Sequence, residues 1–265
     1  MKRILILLSL SIAISADTAK KGEDIISQAE IENIMKESSF VMPSAGALAN
    51  SLNSSLGDID WSKFIDVKVN PNKKYSSNGD RALTLGVKGA DSYFLAISKD
   101  KDNLISVSSQ INLILNDIIL NGRSLNTKSR KKKLKKLKKL IKRERWSIVS
   151  EEIAKLKESI NRNFLDNRKE NLSILNSIGG WLEGYRLAVE GFRKYYNKEE
   201  SAILLQEELI DYLLKEVKKR DIQREDIVSI LSDIRGVLAK VKGYELSKEE
   251  IEKLSNILSV AKKIL

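Results

Sequence analysis

Ile178–Tyr196, IGGWLEGYRLAVEGFRKYY, decides how the rest of this chain is read. At 3.6 residues per turn it divides into stripes. Ile178, Trp181, Tyr185, Ala188, Phe192 and Tyr195 form an apolar, largely aromatic face. Gly180, Gly184 and Gly191, with Leu187 among them, form a second. Glu183, Arg186, Glu190 and Arg193 form another, alternating in charge. Each glycine inside a helix costs roughly 1 kcal/mol relative to alanine. Their recurrence predicts a close approach by another helix, or by a ligand, to bare backbone.

Working outward, the same spacing predicts helices on both sides. Ser77–Ser98 places Leu83, Val87, Ala90, Phe94 and Ile97 on one face, widened by Ala82, Gly86, Gly89, Tyr93 and Ala96. A helix apolar over so much of its circumference belongs in the middle of its domain. Asp100 or Asp102 caps the next, with Leu104, Val107, Ile111, Leu115 and Ile118 inward and Gly122 as the stop. Ser147 caps a helix carrying Val149, Ile153, Leu156, Ile160 and Phe164. The opening helix starts near Asn171, and Gly179-Gly180 predicts a kink in it. Asn197 and Glu200 resemble a capping pair for Glu199–Lys219, and Asp221 begins the following helix. Ser247 and Glu250 make a capping box for the last one, with Leu246 and Ile251 placed as its hydrophobic staple.

The N-terminal part is less regular. Asp24–Glu37 reads as a short helix and Ser44–Ser55 as a small-residue helix. Asp58–Val69 reads either as a helical turn capped by Asp60, gathering Trp61, Phe64 and Ile65, or as a short strand. Asn70-Pro71 and Asn78-Gly79 mark a loop. With two prolines in the chain and little strand signal, the predicted class is all-α, a bundle of roughly nine to ten helices. Residues 17–265 read as a single helical domain, or as sub-bundles over 24–126 and 146–265 joined by a basic helix, 127–145.

The chain starts MKRILILLSLSIAISAD. Lys2 and Arg3, the apolar run Ile4–Ile14 and the small residues Ser15 and Ala16 have the anatomy of a signal peptide over residues 1–16. The run is shorter than the roughly 20 residues a transmembrane helix needs. The expectation is an exported protein, periplasmic in a cell with two membranes. The chain has no cysteine and no histidine. That excludes thiolate chemistry, the usual zinc and copper sites, and the Ser-His and Cys-His nucleophile pairs.

Charge is concentrated. The whole chain carries a net +11, and Lys128–Arg145, with twelve basic residues and one Glu, carries as much alone. In KSRKKKLKKLKKLIKRER, Leu134, Leu137, Leu140 and Ile141 recur at helical spacing, so the segment reads as an amphipathic helix. Its plain role is a solvated lysine face over core leucines. Its functional role is contact with anionic lipid headgroups or an acidic polymer through Lys131, Lys132, Lys135, Lys136 and Lys139. Nucleic acid is a poor partner, because few aromatics accompany the lysines and the export signal removes the chain from it.

A second candidate is the polar stripe Arg81, Thr84, Lys88 and Asp91. It reads either as a solvent-facing edge with a Lys88–Asp91 ion pair, or as a groove for a carboxylate or phosphate. Trp181, Tyr185 and Arg186 are the counterpart on the glycine helix. The aromatic face weighs toward core, and the Glu183–Arg193 stripe toward a solvated ladder. Ser98-x-x-Lys101, Ser129-x-x-Lys132 and Ser259-x-x-Lys262 match a serine–lysine dyad by chance in so lysine-rich a chain, and the accompanying Lys-Thr-Gly or Lys-Ser-Gly element is absent. No phosphate-binding glycine loop, nucleophile elbow or calcium loop is present. The expectation is a non-enzymatic protein that binds a small ligand or a protein partner, with no cofactor and no metal. The alternative is a binder of anionic envelope surfaces. A hydrolase using carboxylates such as Glu183 and Glu190 ranks behind both.

Several short motifs carry a resemblance. Asp60-Trp61-Ser62, Tyr75, Arg81-Ala82-Leu83-x-Leu85-Gly86, Ala90-Asp91, Trp146 and Gly179-Gly180-Trp181-Leu182 occur in an order that resembles exported bacterial helical proteins of unassigned function. The resemblance spans most of the mature chain. It implies an exported all-α protein and carries no activity.

Overall fold

The computed structural model describes residues 45–57, 59–67 and 75–264. The segment expected to be a signal peptide, the helix expected over Asp24–Glu37 and the Asn70-Pro71 loop lie outside them. Among the described residues there are nine α-helices, and the fold is all-α as the periodicity predicts. They are α1 (Ala45–Leu56), α2 (Asn78–Ile97), α3 (Lys101–Asp117), α4 (Lys128–Lys142), α5 (Trp146–Asp166), α6 (Glu170–Lys194), α7 (Glu207–Lys219), α8 (Glu225–Leu238) and α9 (Lys248–Ile264). No helix among them is long and apolar enough to cross a membrane.

The architecture grows from the pair α2 and α6, which share the most extensive contact in the fold. Glycine makes that contact possible. A Cβ at Gly86 would lie 1.9 Å from the Asn176 carbonyl oxygen, and one at Gly179 would lie 2.1 Å from the Leu83 carbonyl oxygen. Gly180 faces the Gly86 carbonyl at 3.3 Å. Backbone therefore meets backbone, and Gly179-Gly180 serves this contact within a helix that runs on from Glu170 to Lys194. Gly191 has a different neighbour, because a Cβ there would meet the Trp61 ring at 2.8 Å. Trp61 sits in a 3-10 turn, Trp61–Phe64, capped by Asp60 as expected, with its ring edge-on to Phe94 at 5.0 Å. The strand alternative for this segment is not seen over the described residues Ile65–Val67.

Helices α1 and α3 pack on α2, and α5 reaches both α2 and α6. Helix α4 lies against α3 and α5 on the outside of this group. On the other side of α6, α7 packs on α8, α8 on α9, and α9 back on α6. Side-chain caps begin four of these helices. Ser77 and Asp80 form a capping box for α2, Asp100 caps α3, and Ser247 with Glu250 caps α9. Leu246 and Ile251 are both buried there, as a staple requires.

Four expected boundaries move, one of them the start expected at Asp221, since α8 begins at Glu225 without a side-chain cap. Helix α3 ends at Asp117, and Gly122 belongs instead to a two-stranded antiparallel hairpin, Ile119–Leu120 with Arg123–Ser124. Asn121 and Gly122 both have positive φ, 50° and 76°, as a two-residue hairpin turn requires. Ser147 is not the cap of α5, which starts at Trp146 without a side-chain cap. The helix expected over Glu199–Lys219 is a 3-10 segment, Glu199–Leu204, followed by α7. Its hydroxyl and amide partners explain the break. Ser201 Oγ accepts from Leu246 N–H at 2.8 Å, and Gln206 Oε1 accepts from the Trp181 indole at 2.7 Å.

Candidate functional site

The basic segment is the helix the sequence predicts, and its leucine stripe is inward. Leu134, Leu137 and Ile141 are buried, and Leu140 is half-buried against the core. Thr127 caps the helix by accepting from Arg130 N–H. Arg130 is the exception among the basic residues. Its guanidinium is buried, where it donates to the carbonyls of Leu125 and, at 3.0 Å, Ser159. It therefore ties the hairpin exit to α5, and burial pulls its pKa down.

A groove of about 510 Å³ runs between α3 and α4. Ile105, Asn112 and Leu134 line it together with Lys131, Lys135, Lys138, Lys139 and Lys142. No Asp or Glu lines it. Lys138 donates to Ser109 Oγ at 2.9 Å, and Asn112 Oδ1 accepts from Asn126 at 2.9 Å. Of the five lysines singled out in the sequence, Lys131, Lys135 and Lys139 are here. Lys136 is elsewhere, paired at 2.7 Å with the buried carboxylate of Glu152 on α5. Lys132 is exposed and lines no part of the groove. Lys138 and Lys142 were missed. The spacing 131, 135, 138, 142 marks them as one row beside the leucine stripe, a signal the sequence already contains.

The polar stripe on α2 is not a solvent-facing edge. Thr84 and Asp91 are buried, and the Lys88 side chain is only 15% exposed. Lys88 and Asp91 pair at 2.8 Å, as the i,i+3 spacing predicts. Arg81 lies over the Tyr75 ring at 5.7 Å, on the side where the Tyr75 hydroxyl bonds Thr84. The charged stripe of α6 is not a solvated ladder either. Glu183 and Arg186 are buried and joined by a two-pronged ion pair, one prong of 2.9 Å. Arg186 also donates to the Phe64 carbonyl at 2.9 Å. Two stripes read as separate surfaces thus meet inside the α2–α6 interface.

Their meeting fixes the state of Asp91. Burial, then the neighbouring Glu183 carboxylate, push the Asp91 carboxyl up to about 7 against the pull of Lys88. Asp91 Oδ2 accepts from Lys88, whereas Oδ1 receives no donor. Glu183 is the hydrogen-bonding neighbour of the Asp91 carboxyl, so a proton on Asp91 would make it the donor there. The order is then Lys88 to Asp91, Asp91 to Glu183, and Arg186 to Glu183. Glu190, two turns on from Glu183, turns away to accept from Ser255 of α9 at 2.6 Å. It joins no carboxylate pair with Glu183 of the kind an acid–base reading needs.

Trp181 and Tyr185 face the opposite side of α6. Their rings stack at 5.0 Å, and the Tyr185 hydroxyl donates to the Leu204 carbonyl at 2.9 Å. Both are buried core residues. The ligand set expected from sequence is therefore split across α6, with Arg81, Thr84, Lys88, Asp91 and Arg186 on one side and Trp181 and Tyr185 on the other. A small cavity of about 30 Å³ borders Gly86, Gly89, Asn176 and Lys157, and burial draws the Lys157 ammonium down in pKa. Among the described residues no group of His, Cys, Asp or Glu is placed to hold a metal ion. Comparison with family models, with curated proteins and with solved structures gives no match for this chain.

Proposed function

We propose that this is an exported, non-enzymatic binding protein whose working surface is the lysine face of α4, directed at anionic surfaces. The observation that carries the reading is the groove between α3 and α4, with five lysines and no carboxylate among its lining residues. Elsewhere the strongest charges are engaged with one another. Lys88, Asp91, Glu183 and Arg186 satisfy each other inside the core, which argues against the α2 stripe as an open ligand site. Each lysine near an anionic membrane surface contributes about 1 kcal/mol of attraction. Because Leu134, Leu137 and Ile141 are committed to the core, the helix has no free apolar stripe to insert. Attraction is then electrostatic and screened beyond about 8 Å at physiological ionic strength.

The test is sedimentation with anionic and neutral vesicles over a salt series. The parent should pellet with anionic vesicles at low salt and be released at moderate salt. A variant with Lys131, Lys135, Lys138, Lys139 and Lys142 changed to glutamine should stay in solution throughout. Equal pelleting of parent and variant, or pelleting that survives high salt, would overturn the reading.

A further inference from the structure

We infer that the groove between α3 and α4 accommodates one aliphatic chain carrying a single anionic head group, a fatty-acid-like amphiphile. This rests on the reading of α4 as an anion-binding face and narrows it to a ligand class. The groove holds about 510 Å³, within the range of small-molecule sites. Ile105 and Leu134 line it together with lysines, whose methylene stems pack along apolar surface while their ammonium groups favour water, Lys138 excepted because it donates to Ser109 Oγ. Such a lining is apolar inside and cationic at the rim. An inorganic anion would use only the rim, and a neutral hydrocarbon only the apolar lining. An amphiphile uses both.

Charge and length agree with this occupant. Lys131, Lys135, Lys139 and Lys142 have no carboxylate partner among the described residues, whereas Lys136, facing the other way, is paired with Glu152. Among the described residues no carboxylate therefore neutralises the cationic rim. From Lys131 to Lys142 the helix rises about 16 Å, a span along which an extended chain can lie. Within it, Asn112 Oδ1 accepts from Asn126.

The experiment measures binding of dodecanoate below its micellar concentration by calorimetry, with acetate and dodecanol as separate arms, beside the vesicle assay. The parent should bind dodecanoate at least tenfold more tightly than either control. Ile105→Trp, which fills the groove, should lose dodecanoate binding at least tenfold and still pellet with anionic vesicles. Lys135→Glu, on the exposed rim where folding is not at stake, should also weaken dodecanoate at least tenfold. Acetate binding as tightly as dodecanoate, or unchanged dodecanoate binding in both variants, overturns the inference. Vesicle binding without dodecanoate binding overturns it too and leaves the α4 reading standing. A parent that ignores both ligands overturns both.

Discussion

Asp91 sits between neighbours that pull its charge in opposite directions. Burial and Glu183 favour the acid, and Lys88 favours the carboxylate; the first two prevail, and the group rests at about 7. Arg186, beside Glu183, and Tyr75, beside Lys88, complete the charged and titratable surroundings. The folded value lies above the ordinary one of 3.8, so folding takes up a proton between them. The stability that the protonated group contributes is full below about 4 and is lost as pH rises through about 7, at no more than about 1.4 kcal/mol per pH unit. Asp60, Asp80 and Asp226 are lowered by their hydrogen bonds and ion-pair partners, so their contributions are lost only in acid, as pH falls through their depressed values. With no histidine in the chain, Asp91 is the group among the described residues that burial and Glu183 bring into the range from 5 to 8. The melting temperature should fall from pH 5 to pH 8, and Asp91→Asn should flatten that slope while keeping both hydrogen bonds. Parallel pH profiles for parent and variant would refute the protonated chain.

At the scale of elements, the glycines of α2 have opposite meanings. Gly86 lies against the Asn176 carbonyl, so Gly86→Ala must part α2 from α6, at a cost of about 1–3 kcal/mol. Gly89 has nothing within 4 Å of its Cβ position, so Gly89→Ala should stabilise by about 1 kcal/mol through helix propensity. Urea melts of the two variants should shift in opposite directions, and shifts of the same sign would remove the close-packing account. The sequence makes the presence of such a contact legible, because glycine recurs on one face of a long helix. It does not locate the contact. Gly180, Gly184 and Gly191 look equivalent by angle, yet on α6 it is Gly179 that meets the Leu83 backbone, and Gly191 accommodates the ring of Trp61.

Capping boxes at Ser77 and Ser247 are legible because their hydrogen bonds span three residues. The break before α7 is not, because it depends on Leu246, distant in sequence. For the same reason Glu183 and Arg186 read as surface residues until α2 supplies the other half of their network. At the candidate site, the row along α4 is visible in the sequence. Ile105 and Asn112 are not, since no spacing within one helix reveals the wall supplied by another.

For the molecule as a whole, salt and pH act on different places. Asp91 is sealed inside and lines no part of the groove. Vesicle binding at low salt should therefore be unchanged between pH 5.5 and 8, while the melting temperature moves over the same interval. Binding that tracks the melting curve would place the attraction elsewhere than on α4. The lysine row has one more consequence. Lys131, Lys135, Lys138 and Lys142 are rooted at intervals of about 4.5–6 Å along a helix that its buried leucines hold in place. One head group thus meets a series of near-equivalent stations. A bound amphiphile can shift from one to the next, so the groove should tolerate chains of differing length and discriminate weakly among homologues.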